Sequence, residues 1–462
     1  MISIILCVAA FIFAYVAGRR SLIAGLVTVF AVGYFYGIVR ANVAESYSHF
    51  IFDAAVIGLY LTQLTKRGNR EEERAREMLK LWVGVLIAWP FILFLVPVQD
   101  YAVQLVGLRG NVFMLPFILL GSRLRSEDVK KLALAFAALN LIAFGFACAE
   151  YIFGVERFFP QNQVTELIYK SVVDERYGNA DRSEALRIPS IFTGAHAYAG
   201  MMVMTFCFIF GAWGQKVAGK PWRKNLLLAS MVATITAIFM AAARSPVIIL
   251  LALFVCVIVS VRLKAQAWAL LLTAAIGVGW LVSSEMRFQR FLTLQDTDFI
   301  TERVHWSVNE SFLDLAVEYP MGNGLGGGGT SMPYFLRSQV KPPIFYMENE
   351  YARIALEQGV FGLCLWAAFI VWALTRRATR RMDEWFIGRR LVLVTCAAYF
   401  ATGMIGTGML TSIPGTALLL LGLGWVAVRQ PQHAEQGATT QHAPATEPDG
   451  VALERIPARQ YV

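Results

Sequence analysis

A chain of 462 residues that is 57% hydrophobic and only 16% charged has too little polar surface to fold as a water-soluble globule, so its apolar side chains are expected to face lipid. The formal net charge of +9 could point to a nucleic-acid partner, but in a membrane protein the placement of Lys and Arg matters more than their sum, and no nucleic-acid binding is read from it. The six cysteines, Cys7, Cys148, Cys207, Cys256, Cys364 and Cys396, all fall in apolar segments and show neither a disulfide framework nor a metal-ligand spacing.

Apolar runs of near-spanning length recur from Met1 to Val428 and predict an all-α polytopic membrane protein with about 12–13 transmembrane helices. Crossings are read near residues 2–18, 21–41, 49–65, 81–98, 108–122, 132–153, 191–213, 226–243, 246–262, 266–283, 352–375, 391–407 and 412–428. The first runs straight into Arg19 and Arg20 with no small-residue cleavage site, and is read as a retained span rather than a signal peptide. The organisation expected is a block of helices over 1–283, a large loop over 284–350, closing helices over 351–428 and a flexible polar tail over 429–462.

Alternate connections are rich in Lys and Arg: Arg19 and Arg20, Lys66 to Lys80, Arg123 to Lys131, Lys216 to Lys224, Arg262 with Lys264, and Arg376 to Arg390. The positive-inside rule puts these in the cytoplasm. The two longest loops, Val155 to Ser190 and Glu285 to Asn349, then lie outside, and external chemistry is expected there. Within the second, Val304, Val308, Phe312, Leu315 and Ala316 share one helical face, predicting an amphipathic helix over Glu302 to Tyr319 that lies on the membrane or on the bundle. Pro320 ends it. The run Met321-Gly-Asn-Gly-Leu-Gly-Gly-Gly-Gly-Thr330 that follows can only be a flexible or tightly turned loop.

Four elements hold residues suited to chemistry. Arg244 interrupts two apolar segments, where a guanidinium at the membrane edge costs about 2 kcal/mol or more unless something anionic compensates; it either snorkels at the interface or clamps a phosphate. Met347-Glu348-Asn349-Glu350-Tyr-Ala-Arg353 leads a polar cluster into a long apolar helix; its acids are either first-turn residues favoured by the helix dipole or functional groups held at the surface. Arg303-Val-His305-Trp306 precedes Pro320-Met-Gly322-Asn-Gly324-Leu-Gly326, glycines that lack the Lys-Ser or Lys-Thr of a nucleotide-binding loop. His305 is there a candidate base or a structural residue. Finally, Arg187-Ile-Pro-Ser-Ile-Phe-Thr-Gly194-Ala-His196-Ala-Tyr198-Ala-Gly200 opens the span after the first long loop, suiting tight packing or a headgroup contact.

Taken in order, these elements resemble the motifs of the O-antigen ligase and polymerase family, which includes Wzy-type polysaccharide polymerases. Arg187 to Gly200 is similar to the family's entrance motif, Arg244-Ser245 to its interhelical Arg motif, and Arg303, Trp306, Pro320, Gly322, Gly324 and Gly326 to its Arg-x-x-Trp and Pro-x-Gly-x-Gly-x-Gly pattern. Glu348 through Gly362 resembles its closing His-Asn-Glu-Tyr-Leu-Arg-x-x-x-Glu-x-Gly-x-x-Gly segment. Glu348 stands where the ligases carry His, and Ala352 replaces Leu. An acid at that place is more at home among the polymerases. The resemblance covers roughly residues 185–375; residues 1–180 match only as generic spans.

The resemblance implies a GT-C-like glycosyltransferase of the bacterial inner membrane that moves a glycan from undecaprenyl diphosphate to a sugar hydroxyl, with neither metal nor cofactor. On this reading Arg244, Arg303 and Arg290 clamp the diphosphate, and Glu348, supported by Asn349 and Arg353, acts as the base or orients the acceptor, with His305 as the alternative base. Arg187 and His196 join the substrate contacts, and Trp306 can stack on a sugar ring. The partners implied are the lipid-linked oligosaccharide, membrane lipids and a chain-length regulator. Competing expectations are an O-antigen ligase, a lipid-linked glycan transporter or flippase, and a non-catalytic scaffold.

Overall fold

In lipid a backbone satisfies its amides within a single segment only as a helix, and no strand occurs among the described residues. The computed structural model describes residues 1–66, 70–170, 187–215, 221–260, 301, 312–329, 332–342, 349–376, 384–406, 408 and 410–428. Its helices are α1 (Ile2–Arg20), α2 (Leu22–Asn42), α3 (Ile51–Gln63), α4 (Arg70–Phe94), α5 (Tyr101–Val112), α6 (Pro116–Gly121), α7 (Ser126–Phe153), α8 (Glu166–Lys170), α9 (Ala195–Trp213), α10 (Pro221–Met240), α11 (Arg244–Ser260), α12 (Phe312–Glu318), α13 (Glu350–Leu374), α14 (Phe386–Thr402) and α15 (Gly415–Ala427). Eight stretches among the described residues are long and apolar enough to cross a membrane: α1, α2, Glu73–Phe94, Tyr101–Gly121, α7, α9, α10 and α13. The chain is therefore a polytopic, all-helical membrane protein. The expected crossing at 266–283 and the polar tail lie outside the described residues.

Two boundaries differ from the sequence reading for physical reasons. The Lys66 to Lys80 connection is helical from Arg70 onward, because its Glu, Arg and Lys residues are good helix formers and Glu73 pairs with both Arg76 and Lys80 along one face. The span read from residue 108 begins at Tyr101 and is split, α5 giving way to α6 at Pro116, a residue that suits the first turn of a helix.

Contacts between connections define two ends of the bundle. At the Arg19 end, the Gln63 side chain donates to the Gly18 carbonyl and Arg123 Nη1 donates to the Gln63 carbonyl at 2.5 Å. At the Glu45 end, Asn42 Nδ2 donates to Phe158 O at 3.0 Å and Asn162 Nδ2 to Ala41 O at 2.9 Å, while the Glu350 amide donates to Gly403 O at 2.8 Å. Between the ends the core holds a neutral knot. Tyr34 Oη donates to Asn140 Oδ1 at 2.6 Å, and Asn140 Nδ2 donates to Thr205 Oγ1 at 2.9 Å and Thr234 Oγ1 at 2.8 Å, tying α2, α7, α9 and α10 with every polar atom of the amide used. All of α15 is buried, with α6, α9 and α14 packed around it.

Candidate functional site at the Glu45 end

The head of α13 is built around a charge that never reaches solvent. Asn349 caps the helix, its Oδ1 accepting from the Tyr351 and Ala352 amides at 2.9 and 3.2 Å. One turn on, the Arg353 guanidinium is 0% exposed between Glu350 and Glu357, themselves 0% exposed. Its Nε and Nη2 donate to Glu350 Oε1 at 3.0 and 2.8 Å, and its Nη1 to Glu357 Oε2 at 2.8 Å. The other Glu350 oxygen accepts the Gly408 amide at 2.7 Å. From α5, Asn111 Nδ2 donates to Glu357 Oε2 at 2.6 Å, while its Oδ1 receives Arg353 Nη1 at 3.2 Å and Gln358 Nε2 at 2.8 Å. Buried ions persist where opposite charges and hydrogen bonds surround them; here, among the described residues, Glu357 Oε1 is left without a hydrogen-bond partner. The sequence assigns Arg353 to substrate contact; in the structure what it holds is the protein's own carboxylates.

The glycine-rich segment is turned, not slack. Gly322, Gly324 and Gly326 all take positive φ, between 80° and 83°, and residues 323–328 are buried. The segment seats against a break in α13, where Gly359 has φ 71° and ψ 179°. The carbonyls freed by that break find partners across the fold: Asn323 N donates to Leu356 O at 2.6 Å and Trp89 Nε1 to Gln358 O at 2.9 Å. A Cβ on Gly322 would stand 2.7 Å from Leu356 O, and one on Gly359 2.6 Å from Pro320 O, so both positions require glycine for space as well as for φ. The last turns of the amphipathic helix, α12, lie on the bundle, with Leu315 packed against Ala352 and Leu356.

The sequence-derived residues divide into three groups. Arg187 and His196 come together, Nη1 and Nε2 standing 2.7 Å apart across the loop that leads into α9. Arg244 is half-buried as the first residue of α11. Glu348, Arg290, Arg303, His305 and Trp306 lie outside the described residues.

A second cluster escaped the sequence reading. A cavity of about 230 Å3 opens among Tyr36 and Arg40 of α2, His49, Arg109 of α5, and Tyr334 and Arg337 of the turn Tyr334–Gln339. Arg109 grips Asp53 with two bonds, Nε to Oδ2 at 2.6 Å and Nη2 to Oδ1 at 2.8 Å. His49 stacks obliquely on Tyr334 and edge-on to Phe335, with centroids 5.9 and 5.8 Å apart. Burial, and then the nearby Arg40 and Arg109, push its imidazole down to about 4, so it is neutral at physiological pH. The available signal was Arg109 and Asp53, ionisable residues inside two of the crossings read from the sequence.

The fold defines a polytopic helical membrane protein. No protein-family model and no curated protein matches the chain.

Proposed function

We propose that the protein is a polymerase of lipid-linked oligosaccharide repeat units, working at the periplasmic face of a bacterial inner membrane. A sugar hydroxyl attacks the anomeric carbon of a glycan carried on a polyprenyl diphosphate. The new C–O bond forms as the bond to the diphosphate breaks, and the diphosphate leaves with the electron pair. The hydroxyl proton passes to a base. Arg244, with Arg303 and Arg290, stabilises the charge on the departing diphosphate. Glu348 accepts the proton or orients the acceptor, and the acid at this position favours polymer extension over transfer to a core lipid. Arg353 acts as a positioning residue, fixing through Glu350 and Asn111 the helix head that follows Glu348 in the sequence.

The observation that carries this reading is Arg244 at the first position of α11. There the guanidinium and the positive end of the helix dipole favour the same ligand, an anion. The Arg187–His196 pair and the Asn349 cap support it, since both stand where a helix enters the bundle from the Glu45 end, away from the Arg19 and Arg123 connections that the positive-inside rule assigns to the cytoplasm. The test is the product of Arg244→Ala and Glu348→Gln variants, scored as glycan chain length in cells and as extension of a polyprenyl diphosphate oligosaccharide by purified protein. Loss of long products at unchanged protein level is expected. Full-length polymer from both variants overturns the assignment.

A further inference from the structure

We infer that the cavity between Arg40, His49, Arg109 and Arg337 is a binding site for a phosphate group. The inference does not rest on the glycosyltransferase reading, and of the residues proposed for that chemistry none that is described lines the cavity.

Charge comes first. Among the described residues three arginines and one carboxylate, Asp53, meet here, and both Asp53 oxygens are used by Arg109, leaving a formal excess of two positive charges with His49 neutral. Among the described residues Arg40 and Arg337 have no carboxylate within ion-pair distance. The Arg40 guanidinium lies over the Tyr36 ring, 5.5 Å from its centroid, and its only polar contact among the described residues is a 3.5 Å approach to the Tyr36 hydroxyl. Its Nε is buried and without a hydrogen-bond partner, as is Nε2 of His49. Cations and donors left in this condition inside a membrane protein carry a desolvation cost that an anionic ligand removes.

Size and donor geometry select the anion. At about 230 Å3 the cavity falls below the roughly 300–1,000 Å3 of sites for drug-sized ligands, which suits one compact group. A single carboxylate would leave half of the excess charge, whereas a phosphate monoester brings about −1.5 to −2 and three acceptor oxygens. Arginine forks suit those oxygens, and the hydroxyls of Thr193, Thr411 and Ser412 also line the wall. A soluble diphosphate and a phospholipid headgroup offer the same chemistry, and the test separates them.

Purified full-length protein in detergent is titrated with pyrophosphate by calorimetry. In parallel, nanodiscs of phosphatidylcholine with and without phosphatidic acid are analysed for retained lipid by native mass spectrometry. Binding is expected in at least one arm: pyrophosphate alone identifies a soluble-phosphate site, and phosphatidic acid without pyrophosphate a headgroup site. In Arg40→Gln and Arg337→Ala the affinity should fall by about tenfold or more, the weight of a lost hydrogen bond between charged partners. Arg337 is exposed, so its variant keeps the fold. His49 supplies a readout that a merely structural cavity would not move. Its ring faces Arg40 from α2, Arg109 with Asp53 from α5 and α3, and Tyr334, Phe335 and Arg337 from the turn beyond the glycine-rich segment. A bound phosphate adds negative charge beside it, so its titration midpoint, followed by NMR of labelled histidine, should rise. Absence of binding in both arms, or binding unaltered in both variants, overturns the proposal.

Discussion

Arg353 and Arg40 are both arginines held within the helical bundle, and they are opposites. Arg353 is enclosed by two carboxylates and an asparagine, all from the protein, whereas Arg40 lies against a tyrosine with no carboxylate in reach among the described residues. The first arrangement meets its cation with the protein's own carboxylates and builds structure. The second presents charge to whatever enters. A recognisable motif thus marks the internal frame as readily as the ligand site, and Arg40 comes from a helix that carries no motif at all.

The largest break in this comparison is expected from Arg353→Ala. Removing the guanidinium leaves Glu350 and Glu357 buried together without a cation, which costs about 3–5 kcal/mol; thermal unfolding of the detergent-solubilised protein should show a large fall in midpoint or a failure to accumulate folded protein. If Arg353 instead met ligand alone, stability would be unchanged and only activity lost. Next in size, Gly359→Ala forces a side chain into the left-handed region at φ 71°, against the Pro320 carbonyl. Backbone strain of this kind costs about 1–3 kcal/mol. Melting curves that overlay the parent's would show that the break in α13 can relax into regular helix.

Much of the helix order was legible because each crossing is a long apolar run bounded by charge. Twelve of the crossings read from the sequence meet a described helix. What stayed hidden depends on partners distant in sequence. Nothing near Gly359 announces that Trp89 and Asn323 will satisfy the carbonyls freed there. Likewise α5 looks like a weak span, yet its helical period puts Gly107 and Asn111 on one face, toward Leu325 and Glu357, and Arg109 on the other, toward Asp53. That helix joins the buried frame to the open cavity. Of the candidate residues, the sequence brought out Arg187 and His196 as members of one motif, and the fold sets them side by side; the Arg40 cluster draws on five separate segments and has no local signature.

Trp89→Phe sharpens the account of the frame. The ring contact with Phe361, at 4.6 Å between centroids, is retained in large part, while the donor to Gln358 O is lost. A loss of about 1 kcal/mol is expected, visible as a small shift in melting temperature that vanishes when the break in α13 is removed by a second substitution. Arg337→Ala tests the other side. An exposed arginine without an ion pair among the described residues should alter stability by no more than about 0.5 kcal/mol, and a larger loss would mean that the cavity is held together by this residue rather than open to a ligand.

The smallest effect at neutral pH, and the most specific, belongs to His49→Gln. In the unfolded chain the imidazole titrates near 6.5, and in the folded protein at about 4, chiefly through burial and then through Arg40 and Arg109. The folded state therefore resists a proton that the unfolded state takes up. The contribution is intact above pH 6.5, declines as pH falls toward 4 and is flat below. Glu45, held at about 2 by the Ser3 hydroxyl and then the Met1 ammonium, does not titrate in its folded form within that window. Melting temperatures of parent and His49→Gln should coincide above pH 7 and separate between pH 6.5 and 4, with the parent losing stability faster. Equal slopes would mean that burial and the Arg40 and Arg109 charges do not hold His49 unprotonated, and the contrast with Arg353, enclosed by carboxylates, would lose its electrostatic basis.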